Sequence, residues 1–221
     1  MLTKPVLVSG RDALRASKST RVGVSLAEIN RDRLGAYGVL MPSSSAECVR
    51  FAKIAAKYAD RLGVKFMIHM DRVTAATSSV VAPFVLPQLP GASSMKELAQ
   101  NCPFNDITRS GMPTGVIACG NGVNLAREVF GGSASYFDIG MLYPIADEVI
   151  VSFCASHEIV VVLDETGLIE EKLDSLGIAY TGSRELGHGY DAESLRLMLL
   201  CEEPDFTEIA DEVPERTAEG E

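Results

Sequence analysis

Residues Tyr37 to Ser79 read Y-G-V-L-M-P-S-S-S-A-E-C-V-R-F-A-K-I-A-A-K-Y-A-D-R-L-G-V-K-F-M-I-H-M-D-R-V-T-A-A-T-S-S, and their order of elements sets the fold. The apolar run Tyr37 to Met41 predicts a strand, which Pro42 and the serines after it stop. Ser44 stands three residues before Glu47, the spacing of a capping box, in which a hydroxyl and a carboxylate satisfy amides at a helix start. Val49, Ala52, Ile54, Ala56, Tyr58, Ala59 and Leu62 then supply an apolar helical face, and Gly63 takes the place of a C-terminal glycine. Val64 to Met70 follows as a second buried strand, and Asp71 to Ser79 reads as a basic, hydroxyl-rich loop.

Upstream, Pro5 to Ser9 predicts a strand leading into a loop at Gly10, Arg11 and Asp12. Val22 to Ser25 is a further short strand, and Leu26, Ile29 and Leu34 offer a weak helical face. Between Asp71 and Gly111 lie Pro83, Pro87, Pro90 and Pro103, with a helix start at A-S-S-M-K-E-L-A, so this stretch reads as the connection between two units.

Beyond Gly111 strands and helices alternate. Strands are expected at Thr114 to Cys119, Ala134 to Ile139, Glu158 to Leu163 and Ile178 to Tyr180. Helices are expected at Val123 to Phe130, Ile145 to Ala155, Leu168 to Leu176 and Ala192 to Leu200. Near-continuous apolar strands such as I-V-V-V-L, separated by helices, imply a parallel sheet covered on both faces. The fold class is α/β with two parallel-sheet units, and the divisions are 1–92, a linker 93–110, a second unit 111–201 and a tail 202–221.

The formal net charge of −10 is concentrated in that tail, where 202–221 carry −8 and leave −2 for the rest. An acidic, proline-containing segment with few large apolar residues is expected to be disordered and solvated. A nearly neutral body offers no footprint for nucleic acid or an anionic membrane. No apolar run reaches the ~18–20 residues that span a bilayer and no targeting segment is evident, so a cytoplasmic location is expected. Cys48, Cys102, Cys119, Cys154 and Cys201 are scattered, with no C-x-x-C pair, which encodes neither a zinc site nor an iron–sulfur cluster. His69, His157 and His188 lack metal-ligand spacing.

Several local patterns bear on chemistry. C-G-N-G-V-N-L-A at Cys119 to Ala126 follows a strand and opens a helix, so Gly120 and Gly122 are candidates to bring amides to an anion. Asp138 lies 18 residues after Gly120, near where a dinucleotide fold places its ribose-binding acid, but Leu125 stands at the third glycine position. Gly23-Val24-Ser25-Leu26-Ala27 loosely matches a nucleophile elbow, and Asp164 and His188 follow in hydrolase order, but Ala27 replaces the second glycine and no oxyanion segment is present. Asp164-Glu165 ends a strand and precedes a helix, where an acid caps the first turn. Gly182 to Gly189 is a polar, glycine-rich edge. Arg72 and His69 stand at the carboxyl end of a buried strand, the edge where α/β sheets gather ligands.

Read together, these runs resemble the α subunit of 2-oxoacid:ferredoxin oxidoreductases, most like the indolepyruvate type. N-R-D-R-L-G-A-Y resembles the family's N-E-x-D-S-R-x-Y segment through Asn30, Asp32 and Tyr37. P-S-S-S-A-E matches its P-S-x-x-x-E helix start through Pro42, Ser43 and Glu47, and the strand before Arg72-Val73 resembles P-V-I-L-R followed by a T-x-R-V loop. D-I-G-M-L-Y-P-I-A-D-E-V-I and E-I-V-V-V-L-D-E are similar to the transketolase C-terminal-like domain. The resemblance covers about residues 5 to 200, and it implies the second half of a pyrimidine-binding domain followed by that C-terminal-like domain.

The departures shape the expected function. His69 replaces an arginine, Lys65 replaces a proline, and Ser44 stands where the family often has an acid. The half-domain with the glutamate that activates thiamine diphosphate has no match here, nor do a G-D-G diphosphate motif, its Mg²⁺ ligands or the ferredoxin cysteine runs. The resemblance therefore implies a truncated or split component whose thiamine diphosphate, Mg²⁺ and iron–sulfur clusters come from other subunits, with ferredoxin as the indirect acceptor. Arg72 and His69 are the expected substrate-binding residues. The alternatives are a non-catalytic interaction module, self-associating or docked on a partner, and a nucleotide-binding enzyme that uses Gly120, Gly122 and Asp138.

Overall fold

The first long helix, α1 (Ser45–Leu62), begins where its sequence dictates. Ser44 lies in extended backbone and its Oγ accepts from Glu47 N at 3.1 Å, while the Glu47 carboxylate accepts from Ser43 N and Oγ, each at 2.8 Å. Gly63 ends the helix in the left-handed region, at φ 68°. The same serine pair recurs at α3 (Met95–Gln100), where Ser94 caps Glu97 N and Glu97 accepts from Ser93 N and Oγ. The structure is a computed structural model that describes residues 6–9, 22–25, 29, 34–81, 88–182 and 191–200. Most of the 26–34 face, nearly all of 182–189 with His188, and the 202–221 tail lie outside the described residues.

Three sheets organise the described residues. β1 (Val6–Ser9) pairs antiparallel with β5 (Ser78–Val81). A four-stranded sheet runs β2 (Val22–Ser25), β4 (Phe66–His69), β3 (Gly38–Leu40), β9 (Met141–Tyr143); the first three are parallel and β9 is antiparallel to β3. A five-stranded sheet runs β11 (Thr181–Gly182), β10 (Ile159–Leu163), β7 (Thr114–Ala118), β8 (Ser135–Asp138), β6 (Asp106–Thr108); only β6 is antiparallel. Helices α2 (Arg72–Ala76), α4 (Asn121–Phe130), α5 (Asp147–Cys154), α6 (Leu168–Leu176) and α7 (Ala192–Leu200) complete the described elements. Among the described residues no helix is long and apolar enough to cross a membrane.

The α/β class and the alternation after Gly111 hold, with α6 and α7 at the expected bounds. The last ladder is shifted: Ile178 to Tyr180 is not a strand, and β11 forms at Thr181–Gly182 instead. Ile178 N closes the end of α6 onto the Leu173 carbonyl, and Tyr180 donates to Asp174 at 2.9 Å, so these residues finish the helix before the chain reaches the sheet. Asp71 to Ser79, read as loop, contains α2 and part of β5. The 93–110 stretch is structured as well, with α3, β6 and Phe104. Phe104 is buried among Phe51 (ring centroids 5.1 Å apart), Phe66 (6.1 Å) and Tyr58 (6.5 Å).

The two main sheets meet through shared strands. In β3, Leu40 belongs to the core under α1, whereas Val39 and the following Met41 belong to the core of the five-stranded sheet. In β9, Met141 joins the first core and Leu142 the second. Each large side chain so buried contributes ~1.5–3 kcal/mol. Both faces of β3 are covered, which is why it reads as unbroken apolar sequence rather than as an alternating strand.

Candidate functional site

The carboxyl ends of β3 and β4 face those of β7, β8 and β10 across this seam. Asp71, directly after β4, is 7% exposed and caps α2, with Oδ1 accepting from Thr74 N at 2.7 Å. Its Oδ2 accepts from Thr74 Oγ1 at 2.7 Å and, across the seam, from Asn121 N at 3.1 Å. Arg72 follows as the first residue of α2 and is exposed, beside Val73 at 50% exposure. His69 closes β4, partly buried and in register with Ser25 of β2.

The two glycines singled out in the sequence have distinct packing reasons. Gly120 adopts φ 53°, and a Cβ there would lie 2.5 Å from Met41 Cε and 3.0 Å from Asp71 Oδ2. A Cβ on Gly122 would lie 2.6 Å from the Leu163 carbonyl oxygen, so its absence lets α4 press onto β10.

Asp164 fulfils the expected capping role. Its Oδ1 accepts from Thr166 N (2.8 Å), Thr166 Oγ1 (2.6 Å) and Cys119 Sγ (3.3 Å), and Oδ2 accepts from Ile169 N at 2.7 Å. These bonds tie the buried Asp164 carboxylate to the start of helix α6, and His188, the other partner of a Ser25 triad, lies outside the described residues. Burial pushes the Cys119 thiol well up, and the adjacent Asp164 carboxylate adds to that. Partial desolvation, with the nearby Asp71 and Asp164 carboxylates, raises Glu165 above its ordinary value.

Asp138 ends β8 with Oδ2 on Arg127 at 2.7 Å, and the Arg127 guanidinium lies 4.0 Å from the Tyr136 ring centroid. Desolvation raises the Asp138 carboxyl, Arg127 opposes the rise, and Asp106 and Glu47 add to it. Asp138 lines an open cavity of about 320 Å³ with Ser43, Glu47, Arg50, Asn105 and Asp106. The Asn105 side-chain oxygen accepts from both Gly140 N and Met141 N at 3.0 Å, which fixes the chain between β8 and β9. Arg72 and His69 do not line this cavity, so the sequence-derived candidates fall into two neighbourhoods.

Asp71, Asn105 and the Glu47–Arg50 pair are site residues that no motif in the sequence marks as such. Asp71 had a legible signal, an acid directly after a strand and three residues before a threonine, which is an N-cap pattern. Among the described residues no group of histidine, cysteine and acidic side chains is arranged to hold a metal ion.

This architecture, α/β with mostly parallel sheets, is found in solved structures of low sequence identity. The 2-oxoglutarate:ferredoxin oxidoreductase from Magnetococcus marinus, solved with 2-oxoglutarate, coenzyme A and succinyl-CoA bound, superposes with a TM-score of 0.57 at 11% identity, over 85% of this chain and 49% of that one. A split-gene transketolase, described as an inactive beta4 tetramer, gives 0.46 at 16% identity over 73% and 55%. The chain thus spans about half the length of each. No protein-family profile matches the sequence, and no curated protein does.

Proposed function

We propose that the chain is a component of a 2-oxoacid:ferredoxin oxidoreductase of the indolepyruvate type, contributing Arg72 at the seam to a site completed by other chains. The observation that carries this is the placement of Arg72: exposed, at the carboxyl edge of β4, on a helix whose cap is tied into the second sheet. The matches at Pro42, Ser43, Glu47, Arg72 and Val73 and the likeness in fold support it. A guanidinium held there suits the planar carboxylate of a 2-oxoacid, with His69 lining the same edge.

Thiamine diphosphate and Mg²⁺, which the resemblance implies, do not fit the described residues. The Asn121 amide at the described G-x-G turn is engaged by a carboxylate, and among the described residues no acidic cluster suits a divalent ion. The cofactor, its metal and the iron–sulfur clusters are accordingly assigned to partner subunits, with electrons leaving to ferredoxin.

Co-expression with the products of adjacent reading frames tests this through 2-oxoacid-dependent viologen reduction, using an arylpyruvate first. The purified complex is expected to be active, and Arg72→Ala to raise KM ~10–100-fold, the loss of a charge-assisted hydrogen bond, with stability unchanged. A chain that captures no subunit and supports no dye reduction defeats the reading, whereas one that captures a partner without dye reduction favours a non-catalytic docking module.

A further inference from the structure

We infer that Asp71 is the resident anion of the turn between β7 and α4, which makes that turn a clasp between the two sheets, closed to phosphate-bearing ligands, and makes Asp71 the residue that positions Arg72. This inference rests on the geometry of the turn alone and stands or falls separately from the oxidoreductase reading.

A helix start binds phosphate when several first-turn amides converge on open space. Here each is already engaged. Asn121 N donates to Asp71 Oδ2 at 3.1 Å, Gly122 N to the Cys119 carbonyl at 3.0 Å, and Val123 N to the Gly120 carbonyl at 3.3 Å. The carboxylate that engages Asn121 is buried and comes from a position 50 residues earlier in the chain. Gly120 meets a steric need that a side chain would violate, since any Cβ would be pressed between Met41 and the Asp71 oxygen. Asp164 and Glu165 surround the same spot, and Glu165 already feels the Asp71 charge. A di- or triphosphate arriving here would meet carboxylates where it needs donors.

The same carboxylate holds α2 through Thr74 N and Oγ1. Arg72 lies between the capped residue and that threonine, so its backbone is fixed relative to both sheets by one side chain. Asp71 in this sense positions Arg72 without touching what Arg72 binds.

Replacement by a shorter cap separates these functions. Asp71→Ser keeps a hydroxyl for Thr74 N but cannot reach Asn121, leaving a space of carboxylate size. Formate, compared with chloride at matched ionic strength, is expected to raise the Tm of Asp71→Ser by about 2–4 °C and leave the wild type unchanged. In ¹⁵N spectra of the full chain, formate returns the Asn121 amide and the Arg72 side-chain signal of the variant toward wild-type positions. Pyrophosphate, or thiamine diphosphate with Mg²⁺, leaves the wild-type Asn121 amide unmoved.

Should Asp71→Ser fail to fold, Asp71→Asn decides the matter: it preserves the cap but turns an amide group toward Asn121, and the exchange protection of that amide falls about tenfold or more. A folded Asp71→Ser indifferent to formate, an Asn variant with unchanged Asn121 protection, or a wild-type Asn121 amide that shifts saturably with pyrophosphate overturns the inference.

Discussion

Gly140→Ala tests the seam at its tightest point. The glycine lies between β8 and β9, its N–H held by Asn105 Oδ1 at 3.0 Å and its carbonyl accepting from Met41 N at 2.8 Å. A Cβ there would lie 2.5 Å from Phe51 Cζ and still closer to the Phe104 carbonyl oxygen, nearer than non-bonded atoms approach. Phe51 alone could turn aside, but a backbone carbonyl cannot, so the β8–β9 chain must withdraw from the first core. Overpacking costs about 1–3 kcal/mol and more when backbone must move. Strain on these two hydrogen bonds at about 1 kcal/mol each places the loss at about 3–5 kcal/mol. For a chain of this size 1 kcal/mol moves Tm by about 2–4 °C, so a drop of at least ~6 °C is expected in calorimetry, with a matching fall in the denaturant midpoint. Gly132→Ala is the internal control, because a Cβ there meets nothing within 4 Å, and it should be neutral or slightly stabilising. A Gly140→Ala protein within about 1 kcal/mol of wild type, or a Gly132→Ala protein equally damaged, refutes the close packing of the seam.

Ser44→Ala removes the α1 cap and should cost about 1 kcal/mol, read as a 2–4 °C fall in Tm. Glu165, its carboxyl raised in the folded state, binds protons that the unfolded chain releases, so its contribution to stability is lost as pH climbs from the ordinary glutamate range through the raised value. Glu165→Gln should therefore be more stable than wild type at pH 7, by less than about 1 kcal/mol after solvent screening, and the advantage should vanish near pH 4 in denaturant titrations at each pH. Burial pushes Cys102 up to about 12 and Cys154 up to about 11, and Cys119 is raised further by Asp164. In a Cys201→Ser background, a disulfide reagent at pH 8 should react with these thiols only as fast as the chain opens.

The elements legible in sequence were those with local instructions. Helix α1 carries its own cap, apolar face and terminal glycine, and α6 and α7 carry enough helical period to fix their bounds. β9 has only Met141, Leu142 and Tyr143, too short to show a period, and it is a strand because β3 presents a free edge about 100 residues earlier in the chain. β6 is exposed along its whole length and bears no alternation to read. The site divides the same way. Arg72 was visible from its position after a buried strand, and Asp164 from its place before a helix. What Asp71 does depends on Asn121, and what Asn105 does depends on Gly140, pairings made only by the folded chain.

The composition change at 93–110 marks the stretch where proline and polar residues interrupt the pattern, yet Phe104 within it lies among the aromatic rings of the first core. β3 and β9 divide their side chains between both cores. A force on the seam is therefore divided between two hydrophobic interiors, which resist deformation because they are close-packed. Arg72 gains fixed placement from that arrangement although it is itself exposed. The rigidity comes from Asp71, which anchors the helix start to the second sheet, and from Gly140, which lets the two cores close around one strand pair. In the proposed assembly, this placement presents the Arg72 cation to a ligand shared with another chain.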